Sequence, residues 1–345
     1  MTKGPVRRAA LLLGAVAALL WPLTFASAQG VADFYRDKTI TIMLGHPPGG
    51  SYDFYARLAA DYLKKHLPGQ PHILVQHRPG GGGVVAAAYF YANAPRDGTM
   101  IALFPETIAH TQILDPRIGR WKMQEMTYIG SFAPVNTAFV IRKGAPAQTI
   151  DELRTTETVM ACTGASSQGY QYGMLLKTLA GFKFKIVCGY PGSSEVQLAM
   201  KRGEADITSS SWNSIRITQR DEIKSGNLKL LIQAGLRRNA ELSHVPLMQE
   251  LVNDQEAKRI VEFASAGAAI GRALLAPPDV PADRIRALRD AFDAMVKDPQ
   301  FLAEAEKRGL EIDAASGAEV QKVSDAIINA PPELIDKAAK AQGGS

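Results

Sequence analysis

Three times along this chain an apolar strand runs into a Gly/Ser loop and then into a helix, at 39–64, 158–180 and 184–202. That recurrence constrains the fold more than any other feature. Strand-like and helix-like segments alternate elsewhere too, which predicts an α/β protein with mostly parallel sheets and flanking helices. In open α/β sheets, ligands bind beyond the carboxyl ends of the strands. The first unit reads Thr39–Leu44, then Gly45-His46-Pro47-Pro48-Gly49-Gly50, with a helix opening near Ser51. Glycines let the backbone approach a ligand closely, and the first N–H groups of a helix have no internal partner. Such a helix end attracts anions. The second unit leads from Thr158–Thr163 into Gly164-Ala165-Ser166-Ser167-Gln168-Gly169. The third leads from Phe184–Tyr190 into Pro191-Gly192-Ser193-Ser194, with Ser194 and Gln197 at capping-box spacing. If the first unit lies in one domain and the other two in a second, three helix N-termini can converge on one cleft. A small carboxylate suits the combined hydrogen-bond and dipole field.

The first 28 residues read as a secretory leader. Lys3, Arg7 and Arg8 precede an apolar run from Ala9 to Leu20, and Ala26-Ser27-Ala28 offers a small-residue cleavage site. The expected mature chain is exported and soluble, begins near Gln29, and is long enough for two cores. Three of the 39 basic residues and none of the 34 acidic ones lie in the leader, so the net charge falls from +5 to +2. That excess is too small and too dispersed for nucleic acid. Six histidines stand at no metal-ligand spacing, and the two cysteines have no histidine nearby, so neither metal nor cofactor is expected. Cys162 and Cys188 both fall near carboxyl ends of expected strands; a disulfide and two buried thiols are both open. Gly80–Gly83 lack the Lys-Ser/Thr of a phosphate loop.

Five stretches carry a family resemblance: Pro47-Pro48-Gly49-Gly50-Ser51-Tyr52-Asp53, Arg78-Pro79-Gly80-Gly81-Gly82-Gly83, Ala94-Pro95-Arg96-Asp97-Gly98, Tyr190-Pro191-Gly192-Ser193 and Leu275-Ala276-Pro277-Pro278-Asp279-Val280-Pro281. In this order the chain resembles the Bug solute receptors of tripartite tricarboxylate transporters. The resemblance implies a periplasmic binding protein fold of type II, a two-domain clamshell closing on a small organic carboxylate. It also implies docking on membrane permease subunits, no catalysis and a monomer. The expected division is a leader at 1–28, one discontinuous domain at 29–135 plus 245–345, and a second at 136–244. Two loops depart from the usual pattern: Pro191 follows Tyr190 where a basic residue is common, and Gly164-Ala165-Ser166-Ser167 replaces a Gly-Thr-Pro-Ser-like loop. The ligand therefore does not carry over.

With the resemblance included, the candidate ligand residues of the first domain are Pro48, Gly49, Gly50, Ser51, Asp53 and Thr107. Those of the second are Ser166, Ser167, Gln168, Tyr190, Gly192, Ser193, Trp212 and Asn213. Gly49, Gly50 and Ser51 would donate backbone N–H groups; the plainer reading is a tight turn with an N-cap. Asp53 either complements the helix dipole or orients water or an amino group. Trp212 either covers the ligand or packs in the core. Two rivals remain at this level: a receptor feeding a sensor kinase, and an exported hydrolase using Ser166 or Ser167. The hydrolase lacks a Gly-x-Ser-x-Gly elbow and a placed histidine.

Overall fold

The computed structural model describes residues 30–343; the expected leader at 1–28 lies outside them. Two sheets organise these residues. Their strands are β1 (Thr39–Leu44), β2 (His72–His77), β3 (Met100–Leu103), β4 (Thr127–Ser131), β5 (Thr137–Arg142), β6 (Thr158–Cys162), β7 (Phe184–Cys188), β8 (Ile207–Ser211), β9 (Leu228–Ala234), β10 (Ala273–Ala276) and β11 (Ala315–Ser316). The first sheet has the order β11-β4-β10-β3-β1-β2 and the second the order β7-β6-β8-β5-β9. The chain thus leaves the first sheet after β4 and rejoins it at β10, giving two α/β lobes.

Parallel pairing holds within each strand–helix–strand run: β1 with β2 and β3, β6 with β7 and β8. Each sheet becomes mixed where other strands join. β10 is antiparallel to both β3 and β4, and β5 is antiparallel to both β8 and β9.

The helix of the first unit, Ser51–His66, buries Tyr55, Leu58, Ala59 and Leu63 on one stripe, as 3.6-residue spacing requires. It packs against β2 and the helix Ala282–Met295. Lys64, Lys65 and His66 sit in its last turn, where cations complement the dipole. Thr149 and Glu152 form a full capping box that starts the helix Ile150–Thr155. The expected box at Ser194 and Gln197 does not form. The helix Ser193–Lys201 starts two residues earlier than that box requires, with Gly192 as an extended N-cap that makes no side-chain cap bond. Gln197 Nε2 instead donates to Thr218 Oγ1 at 3.1 Å.

Cys162 and Cys188 face each other in the parallel β6–β7 register and form a disulfide, with Cα atoms 4.4 Å apart. Of the two alternatives, the structure takes the bridge. It ties the carboxyl ends of the two strands that lead into the second and third loops.

The crossing between lobes is held tightly. Phe132 N donates to Arg272 O, and Arg272 N to Ala133 O, both at 3.0 Å. Gly271 lies so close that a Cβ there would sit 1.9 Å from Ala133 O, and its φ is +63°. Only glycine fits, and it fixes the backbone position of Arg272 beside the crossing.

Candidate functional site

All three strand–loop–helix units end at one cavity between the lobes. It measures about 90 Å³ and takes its lining from the β1 loop, the carboxyl ends of β6 and β8, and the N-termini of three helices. Their first turns explain what they offer. In Ser51–His66 the first intrahelical bond runs from Phe54 N to Gly50 O, and in Ser193–Lys201 from Val196 N to Gly192 O. Neither N-cap is satisfied by a side chain. The N–H groups of Ser51, Tyr52, Ser193 and Ser194 therefore precede the helical ladder, and all four residues line the cavity. In Gln168–Leu179 the Ser167 hydroxyl caps Tyr170 N, which leaves Gln168 and Gly169 at the cavity. Glycine at Ncap, rather than a self-capping Ser or Asp, keeps two helix ends available to an external anion.

The polar side chains here are mostly hydroxyls. Ser209, Ser210 and Ser211 end β8, and Thr163, Ser193 and Ser194 face them from neighbouring loops. The charged residue on the wall is Arg272, 1% exposed. Its Nη2 donates to Ser51 Oγ at 3.1 Å and its Nη1 to Glu106 Oε2 at 3.5 Å. Tyr52 donates its hydroxyl to the same Glu106 oxygen at 2.8 Å. The Arg272 guanidinium lies 3.9 Å over the Tyr52 ring, and the His46 ring stacks on Tyr52 at 4.3 Å and 7°. Two flat groups cannot share one face at those distances, so Tyr52 is sandwiched between them. Burial foremost, then the Arg272 and His77 charges, pull the His46 pKa down to about 3. His46 is therefore neutral at physiological pH.

Of the sequence candidates, Pro48, Gly50, Ser51, Ser167, Gln168 and Ser193 line this cavity. Three others bridge the lobes beside it. Thr107 Oγ1 donates to Ser166 O at 2.6 Å, Ser166 Oγ to Gly81 O at 2.7 Å, and Asn213 Nδ2 to the Tyr55 hydroxyl at 3.3 Å. Asp53 serves the loop rather than the cavity wall. It accepts from Gly49 N and Arg57 Nε, and His77 Nε2 lies 3.1 Å away but off the hydrogen-bonding line. Gly49 is thereby turned toward Asp53. Gly192 backs onto Pro47, and a Cβ there would meet the proline ring at 2.4 Å. Tyr190 and Trp212 pack against the core of the second lobe, and Trp212 Nε1 donates to Glu241. The Ser166 and Ser167 hydroxyls both donate to backbone carbonyls, and no histidine bonds either one among the described residues.

Sequence reasoning did not single out Arg272, Tyr52 or His46. Arg272 had a signal: it is the lone charge in the run Ala264–Pro278, the kind of position where burial demands a partner. A second cavity of about 510 Å³ lies on the second lobe alone. Its Arg142 and Lys201 are already paired with Asp206 and Glu222, and no first-lobe residue reaches it.

Comparison with known proteins agrees with this fold. The profile of the "Tripartite tricarboxylate transporter family receptor" matches residues 55–339. A UPF0065 protein from the gbd 5' region of Cupriavidus necator is 26% identical over 298 residues, covering 82% of each chain. Among solved structures, the periplasmic binding protein BugD superposes with a TM-score of 0.70 at 20% identity, over 88% of this chain and 98% of its own. MatC from Rhodopseudomonas palustris, solved with bound malate, gives 0.68 at 18%, over 88% of this chain and 99% of its own. At these identities the two structures speak to the fold, a periplasmic binding protein fold of two α/β lobes.

Proposed function

Because the chain belongs to the tripartite tricarboxylate transporter receptor family, we propose that it captures a small organic carboxylate between its lobes and delivers it to the permease subunits of such a transporter. The family is one of substrate-binding receptors, not enzymes. One observation carries the ligand class: three helix N-termini from two lobes, two of them without side-chain caps, open into one cavity whose charged wall residue is a cation. Each hydrogen bond to a charged ligand contributes about 1.5–3 kcal/mol, so a few suffice for micromolar binding at about −8 kcal/mol once ordering costs are met. A neighbour in fold that holds malate supports the same class.

The cross-lobe bonds describe a closed clamshell. Ligand contacts from both lobes would favour it over an open form, because only the closed form offers all of them. The permease would then read the closed shape. The family favours a transporter over a sensor kinase as the partner. A leader cut near Ala28 would place the receptor in the periplasm, where a monomer suffices for capture between its own two lobes. Among the described residues no helix is long and apolar enough to cross a membrane.

The test is a thermal-shift panel of mono-, di- and tricarboxylates, aromatic acids and amino acids on the mature chain. A ligand at 100 times its dissociation constant adds about 2.7 kcal/mol of stability. A selective rise with one class of acid supports the reading. No rise with any acid, in a protein that native mass spectrometry shows to carry no retained ligand, removes it.

A further inference from the structure

We propose that Arg272 is the specificity-determining residue of this cavity, selecting a short acid with two carboxylates and no ammonium group. The inference rests on the carboxylate reading above and narrows it. Arg272 is fully buried, yet its donors are underused. A guanidinium has five N–H donors in a planar fork. Here one reaches Ser51 Oγ, one reaches Glu106 at the long distance of 3.5 Å, and Nε has no partner. Two further buried atoms of the wall have none either, His46 Nδ1 and Ser209 Oγ. Buried polar groups are ordinarily satisfied, and an unsatisfied one is costly. Three such atoms around one small cavity point to a polar ligand that completes them.

The cation stands at one end of the cavity. Arg272 touches Ser51, the first residue of an uncapped helix, so one carboxylate can meet Arg272 and the N–H groups of Ser51 and Tyr52 together. The other two helix N-termini, at Gln168 and Ser193, belong to the second lobe and offer a second anion position across the cleft. A volume near 90 Å³ suits a short spacer and is far below the roughly 300–1,000 Å³ of drug-sized sites.

The same wall disfavours amino acids. It carries no acidic side chain. Glu106 lies behind it with its side chain 1% exposed; Arg272 and the Tyr52 hydroxyl both engage its Oε2, and its unpartnered Oε1 is buried outside the lining. Asp53 is held by Gly49 and Arg57 outside the lining. A ligand ammonium would be desolvated without a counter-ion, and Arg272 would repel it. Discrimination by such an unmet charge is a difference of affinities, readable as a ratio.

Calorimetric titration of the mature chain with succinate, L-aspartate and butyrate tests this with one chain length throughout. Succinate is expected to bind at least tenfold more tightly than either of the others. The variant Arg272→Lys keeps a charge. The double variant Arg272→Met with Glu106→Gln removes the pair without stranding a buried carboxylate. In the double variant, succinate affinity should fall about 10- to 150-fold and the succinate-to-aspartate ratio should collapse toward one, with Arg272→Lys retaining part of it. Equal wild-type affinity for aspartate or butyrate overturns the inference while leaving the carboxylate reading intact. A ratio unchanged in folded variants also overturns it, since a structural role would lower all affinities alike. Binding of no acid at all overturns both.

Discussion

Replacing Gly164 by alanine should weaken ligand binding without weakening the fold. Gly164 lies in the loop after β6, and a Cβ there would sit 2.4 Å from Gly81 C, 2.7 Å from Gly82 N and 2.8 Å from Gly81 O. All three atoms are backbone of the opposite lobe, and carbon contacts normally stay near 3.5–4.0 Å. Closure must therefore stop about 1 Å short or deform a main chain. Overpacking of this kind costs typically about 1–3 kcal/mol. The cost falls on the closed form alone, because Gly164 does not occupy the left-handed region that would strain alanine in the open form. The unliganded protein should gain slightly, by about 0.4–1 kcal/mol, from a stiffer unfolded chain. Ligand affinity should fall about 5- to 150-fold, as the competent closed population shrinks. Titration calorimetry reads the first effect and urea unfolding without ligand reads the second. Unchanged affinity would refute the account of closure at Gly81–Gly82. Lost stability without ligand would show this contact to be a permanent part of the fold.

Further outcomes follow from the same geometry. Gly50→Val should fold, since a Cβ at Gly50 meets nothing within 4 Å, yet lose ligand binding because the side chain covers the N–H groups of the first turn; circular dichroism with calorimetry separates the two. Reducing the Cys162–Cys188 bridge, which closes a separation of 26 residues, should cost about 3–4 kcal/mol by loop entropy. Because Cys162 lines the cavity, reduction should also loosen ligand affinity, measured by titration with and without dithiothreitol. Burial holds the His110 pKa at about 4 despite its bond to Phe263 O, while the unfolded histidine titrates at 6.5. The unfolded state therefore binds the extra proton between those values. Stability from this group is complete above pH 6.5 and is lost as pH falls toward 4, by about 2 kcal/mol at pH 5. His46 acts in the same direction down to about 3. Urea melts at pH 7.5 and 5 check this, and equal midpoints contradict it.

The backbone elements of the site were legible because glycine and serine mark loops that open helices. Gly50 announces its N-cap directly, and the stripe from Tyr55 to Leu63 announces its helix, whereas the spacing of Ser194 and Gln197 puts the third cap two residues past Gly192. Side-chain duties were less legible, since they depend on what crosses the cleft. Ser166 looks like a ligand donor in sequence, but its hydroxyl meets Gly81 O, 85 residues away. Asp53 looks equally free and is used by its own loop. Arg272 sits 221 residues from Ser51, and its role arises only when the returning strand β10 is pinned beside Ala133 by Gly271. Ser209 to Ser211 are a polar stretch in sequence, yet they form the end of β8, a central strand, and line the cavity.

A crystal structure of the mature chain with the acid that gives the largest thermal shift tests the central claim most directly. The account predicts a carboxylate in the interlobe cavity, accepting from the N–H groups at Ser51 and Tyr52 and spanning toward those at Gln168 and Ser193. An acid seated elsewhere, such as the cavity beside Arg142 and Lys201 on the second lobe, would contradict it.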